Sequence, residues 1–287
     1  MNQKKGLIIG GDSHLGKALI SRLEKDGWDI WSTTRRSELA TNKSLFLNLL
    51  RPEMSGWPKD FDVIWFLAAQ TSQAACMANP EQSHVMNVES PIQMMTAFGK
   101  TDAHIIFPST SLVFSGHKPF STINDPVSPV GIYAEHKNKV EESLLSSSIK
   151  RKTIIRISKV LDKNTILVQK WIHSLQQGKV IYPLEDLNFS PISLTKAVEV
   201  LVQIALQRAD GILQISSSEQ CSYADFSYFL AKYLGLDTGL IEPKTTKYLG
   251  LTNIYCPLHS TLDSSLVKEN LGIPISTIAQ TIQEILE

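Results

Sequence analysis

The sequence predicts an α/β protein built on a doubly wound parallel sheet, and three observations carry that prediction. Short apolar runs alternate with amphipathic helical patterns through the first 160 residues. A glycine turn, Gly10-Gly11-Asp12-Ser13-His14-Leu15-Gly16, joins the first run to the first helix. The residue clusters that carry chemistry fall at the ends of the runs, where an open parallel sheet receives its ligands.

Gly6 to Ile9 is a short buried strand, and the helix after the turn sets Leu15, Ala18, Leu19 and Leu23 on one side. A glycine turn in this position offers backbone N–H groups and the positive end of a helix to a phosphate. Its spacing is Gly10-x-x-Ser13-x-x-Gly16, and Ser13 is suited to cap the helix, although it restricts the approach of a pyrophosphate. Asp29 to Ser32 reads as the second strand and ends in Thr33-Thr34-Arg35-Arg36. An acid there accepts from the 2′-hydroxyl of an NAD ribose, whereas arginine accommodates a 2′-phosphate. Thr34 takes the acid's position and two arginines follow, so NADP(H) is favoured over NAD(H). Leu45 to Leu49 is the third strand, bringing Asn48 and Leu49 toward an adenine. Phe61 to Leu67 is the fourth, and the small Ala68 and Ala69 after it let a cofactor lie across the strand tips.

His104 to Pro108 is a buried fifth strand leading into Ser109-Thr110-Ser111. A helix then carries Tyr133-Ala134-Glu135-His136-Lys137 and continues through Val140 and Leu144-Leu145. Positions i and i+4 share a helix face, so the Tyr133 phenol and the Lys137 ammonium point into one pocket. A free tyrosine titrates near about 10, and an ammonium about 4 Å from a phenolate gains about 4 kcal/mol at an effective dielectric of about 20. Tyr133 is therefore expected to titrate much nearer neutrality. With a hydroxyl from the neighbouring strand end, such a site holds a carbonyl oxygen and gives it a proton. The chemistry indicated is carbonyl–alcohol interconversion.

The helix after Pro80 has a core stripe of Val85, Val88 and Met95, with Asn87 near its middle in at most a minor role. Thr153 to Ile157 is a further strand, after which the alternation loosens. Helices are predicted over Ile166–Leu175, Ala197–Leu206, Ala224–Leu234 and from about Ser276, with extended pieces at Phe189–Ser193 and Gly211–Ser216. The expected division is a dinucleotide-binding domain over 1–160, also receiving 190–220 and part of 258–287. A small substrate-binding region takes 161–189 and 221–257.

At 287 residues the chain accommodates one large domain and a smaller companion. Its 28 basic and 28 acidic residues cancel, which argues against a nucleic-acid partner. Cys76, Cys221 and Cys256 are far apart and odd in number, as expected of reduced thiols in a cytoplasmic protein. No apolar run is long enough to span a bilayer, and the run after the basic start is too short for a signal peptide. The seven histidines are scattered without ligand-like spacing, so no metal is expected.

Together these residues resemble an extended short-chain dehydrogenase/reductase of the NAD-dependent epimerase/dehydratase superfamily, with a Rossmann-type doubly wound sheet. The likeness is greatest to the dTDP-4-dehydrorhamnose reductase branch, which reduces a keto group on a nucleotide-linked sugar. It rests on Gly10 to Gly16, Ala68 to Thr71, Asn87-Val88, Ser109 to Gly116, Tyr133 to Lys137, Arg156 and a late stretch, Pro257 to Asp263. The resemblance implies that Thr110 polarises the substrate carbonyl, that Tyr133 protonates its oxygen, and that Lys137 lowers the Tyr133 pKa and holds the nicotinamide ribose. It implies cofactor contacts from Gly10, Ser13, His14, Leu15, Gly16, Thr34, Arg35, Arg36, Asn48, Leu49, Leu67, Ala68, Ala69, Tyr133 and Lys137. Substrate contacts would come from Thr71, Ser111 and Arg156, and a small interleaved C-terminal region would close over the nucleotide-sugar. A homodimer pairing the helices around Val85–Met95 and Tyr133–Leu145 is also implied.

Three departures mark this chain. Ser13 stands for the middle glycine of the turn, Ser111 for an aspartate, and Gln70 for a tyrosine, the last two pointing to a different sugar. An acidic magnesium-binding set known in some members has no convincing match here. A nucleotide-sugar epimerase with tightly held NAD and a non-catalytic NADP-binding regulatory subunit remain alternatives. Dehydration is disfavoured, because Ser111-Leu112 replaces the Asp-Glu pair that it commonly uses.

Overall fold

The computed structural model describes residues 3–251 and 255–287. Met1 and Asn2 of the basic start, and residues 252–254 of the expected substrate region, lie outside the described residues. The chain falls into two compact units that interleave along the sequence. The first comprises 1–113, 129–156 and 198–213; the second comprises 114–128, 157–197 and 214–287.

The strands of the main sheet are β1 (Lys5–Ile9), β2 (Asp29–Thr34), β3 (Ser44–Phe46), β4 (Val63–Phe66), β5 (His104–Thr110) and β6 (Lys152–Ile157). Three short pieces follow, β7 (Val160–Leu161), β8 (Asn188–Phe189) and β9 (Ile192–Ser193), then β10 (Gly211–Ile215) and β11 (Cys221–Ser222). The helices are α1 (His14–Lys25), α2 (Gln73–Ala78), α3 (Pro80–His84), α4 (Ser90–Phe98), α5 (Ile132–Ser146), α6 (Ile166–Gln176), α7 (Leu194–Gln207), α8 (Tyr223–Tyr233), α9 (Ser265–Leu271) and α10 (Ile278–Leu286).

Seven strands form one sheet in the order β10-β6-β5-β4-β1-β2-β3, and the pairs from β3 across to β5 run parallel. The order reverses between β1 and β4, as the doubly wound expectation requires. Every residue of β4 and β5 is buried, so these strands read as unbroken apolar runs without alternation. Leu7, Ile9, Ile64, Phe66, Ile105 and Phe107 meet Met94, Met95, Val140 and Leu144 from the helices in one core cluster. Trp65 is fully buried, and its indole N–H donates to the Leu201 carbonyl at 3.2 Å, so a large apolar group enters the core with its polar atom satisfied.

The sequence missed two features in the first unit. The third strand is shorter than expected and stops at Phe46, leaving Asn48 and Leu49 in the loop beyond it. The helix after Pro80 is also not continuous, since Val85–Glu89 winds as a π-turn between α3 and α4. Pro91 has no N–H to return to the carbonyl four residues back, so the regular ladder fails at Asn87 and a wider turn replaces it. That turn buries Asn87.

Taken by itself, the second unit gathers α6, α8 and α10 round Val168, Trp171, Phe189, Phe226, Leu230 and Ile282. Phe189 stacks on Tyr223, with ring centroids 4.1 Å apart and planes 6° from parallel. Helices α8 and α10 each begin with a capping box, Ser222 with Asp225 and Thr277 with Gln280. The late stretch quoted above has a structural place here. His259 N–H donates to the Gly116 carbonyl at 2.9 Å, and Thr261 Oγ1 accepts from Phe120 N–H at 2.6 Å, so the stretch fastens the 114–121 loop. No helix among the described residues is long and apolar enough to cross a membrane.

A buried ion pair crosses the first unit. Arg156 on β6 and Glu141 on α5 are 2% and 1% exposed, with Arg156 Nη2 2.7 Å and Nε 3.2 Å from the carboxylate. The desolvation cost of both charges is met by this two-point contact, and removing either charge strands the other. Glu141→Gln should therefore cost about 3–5 kcal/mol, read as a lowered midpoint of urea unfolding. Joint replacement of both residues by leucine should cost clearly less than that single change.

Candidate functional site

The start of α1 is built by its own sequence. Ser13 caps the helix, its hydroxyl accepting from Gly16 N–H at 2.9 Å and donating to the Gly10 carbonyl at 2.8 Å. Gly10 has φ +103°, and a Cβ there would lie 2.6 Å from the Ala68 backbone nitrogen, so only glycine lets the turn press onto the end of β4. Thr33 fixes the turn from the other side: its Oγ1 accepts from Gly10 N–H at 2.9 Å and its carbonyl accepts from Gly11 N–H at 3.0 Å.

Beside this turn lies a cleft of about 560 Å³. Of the expected cofactor residues, Gly10, Ser13, Arg35, Asn48, Leu49, Leu67, Ala68 and Ala69 line it. Asp12, Phe46, Gln82 and Met86 also line it, none of them among the expected cofactor contacts. Phe46 ends β3 and is 45% exposed, a feature that no residue pattern in the sequence marks. His14 and Leu15 form the first turn of α1 outside the cleft wall. Gly16 is buried where a Cβ would run into the Gly10 carbonyl. Thr34 differs from expectation: it is 3% exposed and its hydroxyl donates to Asp12 Oδ2 at 2.8 Å, so it supports the turn instead of lining the cleft. Asp12 also accepts from Arg35 N–H at 3.0 Å and from Arg36 Nη2 at 3.3 Å. Burial works to raise the Asp12 pKa, and these hydrogen bonds outweigh it and hold the carboxyl below its ordinary value.

Strand β5 ends at Thr110, which is buried and accepts from Leu112 N–H at 3.2 Å. Lys137 is 6% exposed, and its ammonium donates to the Pro108 carbonyl at 2.7 Å while lying 4.4 Å from the centre of the Phe107 ring. The lysine thus ties α5 to β5 two residues before Thr110. Burial drives its pKa down to about 8, opposed by the charge of Glu141 one turn further along α5. Tyr133, one turn before Lys137, is partly exposed. The expectation that it titrates near neutrality is not met. Burial raises its pKa, and the Cys76 charge raises it further. Desolvation of the phenol outweighs what a cation on the same helix face can offset.

Two substrate candidates, Thr71 and Ser111, follow the ends of β4 and β5. Thr71 is exposed, and Ser111 is 8% exposed at the start of a short 3₁₀ turn, Ser111–Val113. Arg156 has a different place from the one expected: it is sealed inside the first unit against Glu141, so its guanidinium serves packing and cannot meet a ligand from outside.

Where α5 meets the π-turn, Asn87 and His136 form a buried polar cluster that the sequence did not reveal. Asn87 Oδ1 accepts from Gln70 N–H at 2.7 Å, and Nδ2 donates to the Gln70 carbonyl at 2.9 Å, so the side chain closes the backbone after β4 as a strand would. Asn87 Nδ2 also lies 3.5 Å from His136 Nδ1, and His84 meets the His136 ring edge-on at 5.4 Å. With Asn87 as donor, His136 Nδ1 must accept, which only the neutral imidazole can do.

A family model described as the RmlD substrate binding domain matches residues 4–287. The chain is similar to the spore coat polysaccharide biosynthesis protein SpsK of Bacillus subtilis (strain 168), with 23% identity over 269 residues covering 92% of this chain and 91% of that one. It is similar in structure to a dTDP-4-dehydrorhamnose reductase from Bacillus anthracis str. Ames in complex with NADP, with a TM-score of 0.85, 18% identity and 99% of both chains covered. It is also similar to MoeE5 in complex with UDP-glucuronic acid and NAD, with a TM-score of 0.78, 17% identity and 98% of both chains covered. At these identities the structural likenesses speak for the fold.

His136 gives a pH test. Burial, then the charges of His84 and Lys139, bring its pKa down to about 4 from an ordinary value of 6.5. Between those values the unfolded chain binds a proton that the native protein does not, so this contribution to stability falls as pH drops. Urea midpoints measured at pH 7, 6 and 5 should decline, and His136→Asn should make the decline shallower.

Proposed function

Because the chain belongs to the RmlD substrate binding domain family, we propose that it is an NAD(P)H-dependent reductase of a keto group on a nucleotide-linked sugar or a related keto-sugar. One observation carries the reading: a buried ammonium, Lys137, is fastened to the strand that ends at Thr110, one helical turn from the Tyr133 phenol. A helix that merely packs on a sheet has no need of a desolvated cation at that point.

The cleft suits a dinucleotide by the chemistry of its walls. The capped start of α1 and Arg35 offer positive potential to a pyrophosphate and a ribose phosphate, and Phe46, Asn48 and Leu49 offer an apolar and amide edge to a base. Ser13 strengthens the turn through its two hydrogen bonds, so its replacement of a glycine is compatible with a phosphate site. The arginines after Thr34 support NADPH as the preferred form. The complexes with NADP and with NAD named above show both forms among proteins of this fold.

In the mechanism the reduced nicotinamide, when bound, supplies the hydride to the keto carbon. Thr110 holds the carbonyl oxygen with its hydroxyl and so fixes the face that is attacked. Tyr133 gives its phenolic proton to that oxygen as negative charge builds on it. A raised pKa suits this direction, since the phenol stays protonated through neutral pH and is ready to donate. Lys137, with a pKa of about 8, is largely charged at pH 7 and stabilises the phenolate that proton transfer creates. Thr71 and Ser111, which follow β4 and β5, are the candidates to touch the sugar.

Tyr133→Phe tests the assignment. With NADPH and a panel of 4-keto nucleotide-sugars, kcat should fall by about 10²-fold or more while the Kd for NADPH stays within about threefold. Turnover that survives this change would remove Tyr133 from the chemistry.

A further inference from the structure

The turn that begins α1 carries a carboxylate where β2 has none. At the tip of β2 an acid would ordinarily receive the adenosine ribose, but Thr34 stands there and is turned inward. Asp12, from the glycine turn, reaches across to that tip instead. Its Oδ2 accepts from Thr34 Oγ1 at 2.8 Å and from Arg35 N–H at 3.0 Å, and its Oδ1 from Arg36 Nη2 at 3.3 Å. Thr34 Oγ1 in turn accepts from Arg36 N–H at 3.1 Å, closing a small ring of contacts at the rim of the cleft. Asp12 lines the cleft together with Arg35, whereas Arg36 is drawn toward the turn and does not line it.

This arrangement treats the two forms of the cofactor differently. A ribose 2′-hydroxyl can donate to an acceptor such as Asp12 and leaves the ring of contacts intact. A 2′-phosphate carries about −1.5 to −2 charges at neutral pH and would stand beside the Asp12 carboxylate. To engage Arg36, it must also take that guanidinium away from Asp12. We propose that Asp12 is a specificity-determining residue, which narrows the preference for NADP(H) over NAD(H) by keeping Arg36 from the 2′-phosphate. The proposal rests on the dinucleotide reading of the cleft given above.

The test is titration of the full chain with NADPH and with NADH, followed by quenching of tryptophan fluorescence. Asp12→Asn removes the charge and keeps an oxygen acceptor for Thr34 and the Arg35 amide. It should tighten NADPH by about fivefold, the scale of one partly exposed charge, and change NADH by less than about twofold. Asp12→Asn combined with Arg36→Gln should lose most of that gain, because Arg36 is the group released. Asp12→Ser, which retains a small acceptor, provides a second uncharged variant should the asparagine fail to fold, as checked by thermal unfolding. A ratio of NADPH to NADH affinity that stays put in a folded uncharged variant overturns the role of Asp12 alone. Failure of the unaltered chain to bind either dinucleotide overturns the reductase reading, and this inference with it.

Discussion

A cation kept out of water governs the layout of the first unit. Lys137 has lost its hydration, and what replaces it is one carbonyl, one aromatic face and the charge of Glu141 a turn away. These partners do not fully offset the desolvation, so the lysine is driven down to about 8 yet keeps most of its charge at neutrality. The helix that carries it must then dock on β5 in one register. Its face holds Tyr133, Lys137 and Glu141 at successive turns, and Glu141 is itself matched by Arg156 from β6. Charge and hydrogen bonds through Arg156, Glu141 and Lys137 therefore link β6, α5 and β5.

The glycine turn obeys a similar logic at the other side of the same unit. Gly10 lets the backbone lie on Ala68, Ser13 satisfies the helix start, and Thr33 satisfies the turn. Each contact is short and local, and together they hold the N-terminus of α1 toward the strand tips. Asp12 ties that turn to the end of β2, so the start of α1 and the tip of β2 are mechanically one piece.

Much of this was readable from residue pattern. Strands such as β1 and β4 are apolar runs bounded by polar or small residues, and the spacing of Tyr133 and Lys137 already puts both on one face of a helix. Ser13 declared itself as a cap by its type and place. The misreadings share a physical cause. Arg156 looks like a ligand-binding cation until Glu141, fifteen positions earlier in the chain, is found against it. Asn87 looks like an ordinary helical residue until the π-turn before Pro91 swings it toward Gln70. Tyr133 was expected to be easily ionised because spacing reveals its cationic neighbour and not the loss of water round the phenol, which raises its pKa.

By itself the sequence determined the kind of fold, the place of the glycine turn and the helical neighbours of the phenol, since all three follow from local periodicity and short-range geometry. Tertiary structure alone decided which charges are free to act. Whether a carboxylate or guanidinium faces a ligand or another side chain depends on groups brought together from distant parts of the chain, as with Asp12 and Arg36 or Glu141 and Arg156. Burial then sets their ionisation, because the loss of water is a property of the packed molecule and of no single stretch of it.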